Sequence, residues 1–294
     1  MEVINLDKYK LKDALGSLKK KYGKDSIAVL GKNLNFDIPR LKTNLRDFDY
    51  MLGGGLPLGR ITEVFGPESA GKTTLAYYLC SLVDLALFID AEGTFDEERA
   101  GLFKIKPGKL VVNRPSYGEE AVDMICEFTE AGVPLIVVDS VPCLFPKKIV
   151  ANDIGKDAIS PIPRLLSQQL FPKLIPLLRR SETIVVFINQ IRDNITTFGW
   201  GEPYMTPGGK ALKHHCSVRI EVRRRSWIGA KDARYGLLNA FRVVKSKVGR
   251  PFNSCEIPML FEYGYTTKDD MKDVLKDLRK KRRAADKEFR ELEE

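Results

Sequence analysis

The chain has 294 residues, 44% of them apolar, and 48 lysines and arginines against 39 acidic residues, for a net charge of +9. Such a length suits one large domain with small appendages or two modest ones, and the basic excess favours a polyanionic partner. With no run of about 18 apolar residues and no basic-then-apolar leader, membrane spans and secretion are excluded as expectations, which leaves a soluble, cytoplasmic protein.

Leu11, Leu15, Leu18 and Tyr22 recur at helical spacing among lysines, and Gly23 follows, so the spacing predicts an amphipathic helix ending there. Residues 26–30 read as a short strand. This helix-plus-strand piece has too little apolar surface to stand alone and must dock on the chain's own core or on a neighbouring copy. From about residue 40 to 265, β-rich runs alternate with helical patterns, as in an α/β fold with a mainly parallel, twisted sheet. The clearest strands are at 61–65, 85–89, 135–139, 183–189, 218–222 and 240–244. The first four are nearly continuous apolar runs, as suits strands buried on both faces, while the last two alternate and are predicted nearer a sheet edge. After Gly264 the chain is highly charged. Met271, Val274, Leu275 and Leu278 mark one helix face there, followed by a basic run at 279–283 and an acidic end. The expected division is a helix–strand docking segment at 1–34, a core at 35–265 and a short charged helical segment at 266–294. Five scattered cysteines (Cys80, Cys126, Cys143, Cys216 and Cys255) form no C-x-x-C pair, which argues against a disulfide framework or a zinc site.

Gly66, Pro67, Glu68, Ser69, Ala70, Gly71, Lys72 and Thr73 match G-x-x-x-x-G-K-[ST] at every fixed position. A predicted strand enters this loop and an apolar helix leaves it near Thr74, so backbone N–H groups at the helix N-terminus can wrap phosphates. Lys72 is expected on the terminal phosphates and the Thr73 hydroxyl on Mg²⁺, making ATP and Mg²⁺ the expected ligands. Asp139 ends the apolar run at 135–139, at the carboxyl edge where α/β ligands gather. It reads as a second magnesium contact, or else as an ordinary capped strand end. Glu92, just past another strand, reads either as the carboxylate that positions the attacking water or as a cap on the next turn.

These stretches resemble the RecA family. The loop at 66–75 (GPESAGKTTL) is its version of the motif. So are 137–141 (VVDSV), 187–192 (FINQIR), 208–213 (GGKALK) and 243–247 (VVKSK), together with 22–27 (YGKDSI) and 54–60 (GGLPLGR). The resemblance spans about residues 10 to 265. It implies an ATPase that polymerises as a helical filament on single-stranded DNA and pairs it with a matching duplex, with ATP at the subunit interfaces. It makes Glu92 the water-activating carboxylate. Gln190 becomes the sensor of the γ-phosphate, and Lys245 and Lys247 reach across a subunit boundary to the neighbour's ATP. Without the family, Gln190 is a polar strand end and the two lysines a basic strand edge.

Two long segments poor in charge, at about 148–164 and 192–210, are expected to line the DNA. The resemblance puts phosphate contacts at Arg164, Arg192, Lys210 and Lys213, with Gly208 and Gly209 beside them, and base-wedging side chains at Ile159 and Ile195. Trp200 or Phe198 would stack on a base or pack within its own loop. The N-terminal segment resembles the one that docks on the adjacent protomer, and a head-to-tail contact of that kind generates a filament.

Two features depart from bacterial RecA. Asp96 and Arg99 fall in the adenine-binding stretch, where Arg99 stands in place of a tyrosine; a guanidinium also stacks on a ring. The C-terminus is short, as in a phage or mobile-element version, so a regulatory protein that binds ATP and DNA without exchanging strands is the alternative, and a ring helicase a more distant one.

Overall fold

The computed structural model describes residues 11–23, 27, 38–151, 161–193, 204–231 and 233–281. Apart from Ile27, the expected strand at 26–30 lies outside the described residues, as do the expected DNA contacts Ile159, Ile195, Phe198 and Trp200. The chain divides into two compact units, residues 1–38 and 39–294. In the first, α1 (Leu11–Tyr22) carries Lys19, Lys20 and Lys21 in its last turn, beside the negative end of the helix dipole. None of its residues is buried. Gly23, at φ 101°, closes it, its N–H donating to the Lys19 carbonyl at 3.0 Å.

The second unit is built on a nine-stranded sheet. In chain order its strands are β1 (Ile61–Gly66), β2 (Ala86–Asp90), β3 (Leu110–Asn113), β4 (Leu135–Asp139), β5 (Ile184–Gln190), β6 (Val218–Ala230), β7 (Ala233–Ser246), β8 (Ser254–Leu260) and β9 (Gly264–Tyr265). Across the sheet they run β9-β8-β7-β6-β1-β5-β4-β2-β3. All pairings from β6 to β3 are parallel, and those among β6, β7, β8 and β9 are antiparallel.

The apolar runs have the predicted cause. In β4, Leu135 and Val137 join one core while Ile136 and Val138 join the other, and β5 divides Ile184, Val186 and Ile188 from Val185 and Phe187. The first core is closed by α2 (Arg46–Leu52), through Phe48, Met51 and Leu52, and by α3 (Lys72–Ser81), through Leu75, Ala76, Leu79 and Cys80. Covering the other face are α5 (Gly118–Glu130) and the helical stretch α6 (Ile162–Leu165), a π turn (Leu166–Leu170) and α7 (Phe171–Leu178). Pro172 and Pro176 lack the N–H that would bond back one turn, which accounts for the irregular winding. Between β2 and β3 lies the short α4 (Glu97–Leu102), and α8 (Gly209–His215) precedes β6. A last helix at 271–281 buries Leu278.

One expectation is corrected. The alternation in 218–222 suggested an edge, but β6 is fourth from one end of the sheet, and the true edges are β3 and β9. The polar members of the alternation, Arg219 and Glu221, are buried in ion pairs and hydrogen bonds. Beyond Val222 the strand leaves the core as one arm of an exposed hairpin with β7.

Candidate functional site

The site lies at the carboxyl ends of the parallel strands, where Gly66 is paired with Gln190 and Asp90 with Asp139. β1 is wholly buried and delivers the chain into the phosphate loop at Gly66, where a Cβ would strike the Val222 carbonyl oxygen. Gly71 holds φ 88°, a left-handed conformation natural to glycine, and starts α3. The loop is fixed from beneath by Asn239 on β7, which is completely buried and donates its Nδ2 to the Ala70 carbonyl at 2.5 Å.

Within the loop, Lys72 Nζ donates to the carbonyls of Gly66 at 3.0 Å and Pro67 at 2.6 Å. Burial lowers its pKa, opposed by the charges of Asp139, Glu92 and Glu68. The Thr73 hydroxyl donates to Asp139 Oδ2 at 2.6 Å. Burial pushes Asp139 up to about 6, with Glu92 adding repulsion and the Thr73 bond and Lys72 opposing. Two hard oxygens side by side, one on a carboxylate short of positive charge, fit Mg²⁺.

Glu92 is exposed at the mouth of the site, and its Oε2 accepts from the buried Ser140 hydroxyl at 3.0 Å. The turn that carries it is held by Asp90, which is buried and accepts from Thr94 N at 2.9 Å, Phe95 N at 3.1 Å and Arg114 Nε at 3.0 Å. Asp96 caps α4 by accepting from Arg99 N at 3.0 Å, while its own N–H donates to the Tyr77 hydroxyl at 3.0 Å. Beside the loop is a cavity of about 260 Å³ between residues 69–74 and Arg99 on one side and Trp227, Leu237, Met259 and Phe261 on the other. The Trp227 ring carries the guanidiniums of Arg224 and Arg234 at 4.4 and 4.2 Å.

Gln190 ends β5 half-buried. After it, Arg192 and Asp193 pair antiparallel with Tyr204 and Met205, so the second expected DNA segment rises from a short two-strand stem. The two expected DNA segments meet at their inner ends. A Cβ on Gly209 would lie 3.0 Å from Pro163, and one on Gly208 3.1 Å from Leu166. Arg164, Arg192 and Lys210 are exposed nearby in sequence, with Arg164 Nε bonded to Gln168 Oε1 at 2.9 Å, and Lys213 is half-buried. Lys245 and Lys247 cap the other end of α8. Lys245 Nζ donates to the Lys213 and His214 carbonyls, the latter at 3.0 Å, and Lys247 Nζ to the His214 carbonyl at 2.7 Å.

Several of these residues were not singled out by sequence: Asp90, Arg114, Ser140, Asn239 and Trp227. The available signals were weak. Asp90 is a charge ending an apolar run, and Asn239 a lone amide between Leu238 and Ala240.

Fold and loop together define a class, the α/β proteins of P-loop type that bind nucleoside triphosphates. Comparison with known sequences narrows it. A family profile described as the RecA N-terminal domain matches residues 9–266. The chain is 36% identical over 267 residues to Protein RecA of Desulfovibrio desulfuricans, covering 89% of this chain and 74% of that one. It is 40% identical over 257 residues to Protein RecA of a Sulfurovum species, covering 85% and 74%. To Protein RecA of Wigglesworthia glossinidia brevipalpis it is 38% identical over 277 residues, covering 92% and 83%. The chain belongs to the RecA family and is an ATP-dependent homologous recombination protein. Among the described residues no helix is long and apolar enough to cross a membrane.

Proposed function

We propose that this protein hydrolyses ATP in response to single-stranded DNA, forms a helical filament on it, and exchanges strands with a matching duplex in the cytoplasm. The observation that carries the reading is the convergence of Lys72, the Thr73–Asp139 pair and the Ser140-held Glu92 at one carboxyl edge, beside the stem of the 192–205 segment.

Backbone N–H groups of residues 68–74 and the Lys72 ammonium bind the phosphates, and Thr73 and Asp139 would hold Mg²⁺. When bound, the metal neutralises charge on the β- and γ-phosphates. Glu92 accepts a hydrogen bond from the attacking water and orients it, while Ser140 fixes the carboxylate. Arg99 lies over the base, with the Trp227 cavity beside it and Asp96 fixing the turn that carries Arg99. Gln190 meets the γ-phosphate and passes its presence to the segment beyond. Lys245 and Lys247 serve the ATP of the adjacent protomer, offsetting charge in the transition state. DNA is held through Arg164, Arg192, Lys210 and Lys213 near Gly208 and Gly209, with Ile159 and Ile195 between bases and Trp200 stacked. Residues 1–34 dock on the neighbour, 35–265 form the ATPase core, and 266–294 add a charged helix.

Strand exchange between a circular single strand and a homologous linear duplex tests the reading. Joint molecules that require ATP and homology are expected; filaments without joint molecules would refute the strand-exchange step.

A further inference from the structure

A buried ion pair unused by the chemistry above ties the nucleotide strand to the stem of the second DNA segment. Glu63, on β1 three residues before the phosphate loop, is 0% exposed, and Arg219 on the adjacent β6 is 7% exposed. Arg219 Nε donates to Glu63 Oε2 at 2.5 Å, and its guanidinium lies 4.6 Å over the Phe65 ring. The other oxygen, Glu63 Oε1, accepts from Asn189 Nδ2 at 2.8 Å.

The two partners of Glu63 also hold the ends of the segment that follows Gln190, Asn189 at both ends and Arg219 at the closing one. Asn189 Oδ1 accepts from the Gln190 N–H at 3.0 Å, fixing where the segment begins. Where it ends, Arg219 Nη2 donates to the Thr206 hydroxyl at 3.4 Å, and Asn189 Nδ2 to the Pro207 carbonyl at 2.8 Å. A well-packed apolar pair would hold the sheet as firmly as a buried ion pair, or more so. Sheet stability therefore does not account for Glu63 and Arg219, whereas their links to the segment do, directly through Thr206 and by way of Asn189 through Gln190 and Pro207. A shift at either end of the segment therefore breaks a hydrogen bond of this network, at Gln190 to Asn189 or at Thr206 and Pro207 to Arg219 and Asn189.

We infer that Glu63 and Arg219 are a positioning pair that locks both stems of the segment between Gln190 and Thr206 to the strand feeding the phosphate loop. The pair carries nucleotide occupancy to that segment by a route separate from the Gln190 side chain. Its consequence for DNA rests on the proposed DNA-facing role of that segment.

The test uses the full chain with and without Trp200→Phe, so that subtraction isolates the emission of Trp200, in sequence between the two stems. Trp200 emission is followed as Mg²⁺ and a non-hydrolysable ATP analogue are added, while affinity is measured separately with a fluorescent ATP analogue. Glu63→Gln keeps an oxygen for Asn189 and removes the charge facing Arg219. Thr206→Val removes only the Arg219 bond to the closing stem and serves if the first variant does not fold. Expected is an unchanged nucleotide affinity with the Trp200 response lost, and DNA stimulation of hydrolysis reduced at least about fivefold, the scale of an allosteric coupling. A folded variant with the parental Trp200 response overturns the inference. So does a parent with no response, or an affinity that falls in step with the response, as a merely structural role would give. A parent that responds to nucleotide but is not stimulated by DNA refutes the DNA-facing assignment instead, and the variant's Trp200 response still decides the pair.

Discussion

The Thr73 hydroxyl donates to the Asp139 carboxylate across 2.6 Å, joining the helix that leaves the phosphate loop to a strand two places away in the sheet. Each side chain alone is an ordinary feature, one of a helix start and the other of a strand end. Together they place side by side the two oxygens that would hold Mg²⁺ in the proposed reading.

Asp139→Asn keeps the shape and the Thr73 contact but removes the charge. Hydrolysis should fall by about 10²-fold or more, the usual cost of losing one preorganised electrostatic group. Nucleotide affinity, measured with Mg²⁺ and with a chelator, should become nearly independent of the metal. Metal-dependent binding equal to the wild type would remove Asp139 from the site.

Asp90 acts one layer further out. Three hydrogen bonds to its carboxylate shape the turn that carries Glu92. Asp90→Ala leaves two backbone N–H groups without their acceptor, costing about 1–3 kcal/mol for each one left buried and unsatisfied. Urea unfolding should register the loss, and kcat should drop with little change in KM. Arg114→Ala should be milder, since that side chain is 63% exposed. Equal losses in the two variants would contradict this ranking.

Much of this arrangement is legible in the sequence because its physics is local. A phosphate loop needs glycines and a lysine at fixed spacing, and strands buried on both faces must be continuously apolar. Hence β1, β2, β4 and β5 and the residues at their carboxyl ends stand out. What escapes the sequence depends on distant partners. Arg219 and Glu221 look like the solvent side of an edge strand, because nothing nearby shows that Glu63, 156 residues from Arg219, will neutralise the first. Asn239 reads as a neutral polar residue until β7 passes beneath the phosphate loop, 169 residues from Ala70. The arm of β6 and β7 beyond the core has no apolar pattern to announce its length.

Lys245 and Lys247 supply charge to a neighbour's site if the interface is head-to-tail. Glu92→Gln and a Lys245→Ala/Lys247→Ala variant should each be inactive alone. Mixed in equal amounts, they should recover about a quarter of wild-type hydrolysis, since random order in a heterologous assembly pairs an intact Glu92 with intact lysines at that fraction of interfaces. No recovery on mixing would place the lysines in their own subunit's chemistry.

His215 packs 4.5 Å from the Phe171 ring, and burial, with His214, Lys247 and Lys245 around it, lowers its pKa below 6.5. The folded state therefore resists protonation more than the unfolded chain. The stability this neutral imidazole allows is fully present above the unfolded value and is lost as pH falls through it toward the lower folded value. Thermal melts from about pH 7 to about pH 5 should show the wild type losing stability that His215→Phe retains. Parallel pH profiles for the two proteins would show that His215 titrates elsewhere.

ATP hydrolysis with and without single-stranded DNA, for the wild type and for Glu92→Gln, tests the central claim most directly. Strong stimulation by DNA is expected in the wild type, with hydrolysis lost in the variant while ATP binding persists. Hydrolysis indifferent to DNA, or undiminished in Glu92→Gln, would contradict the account.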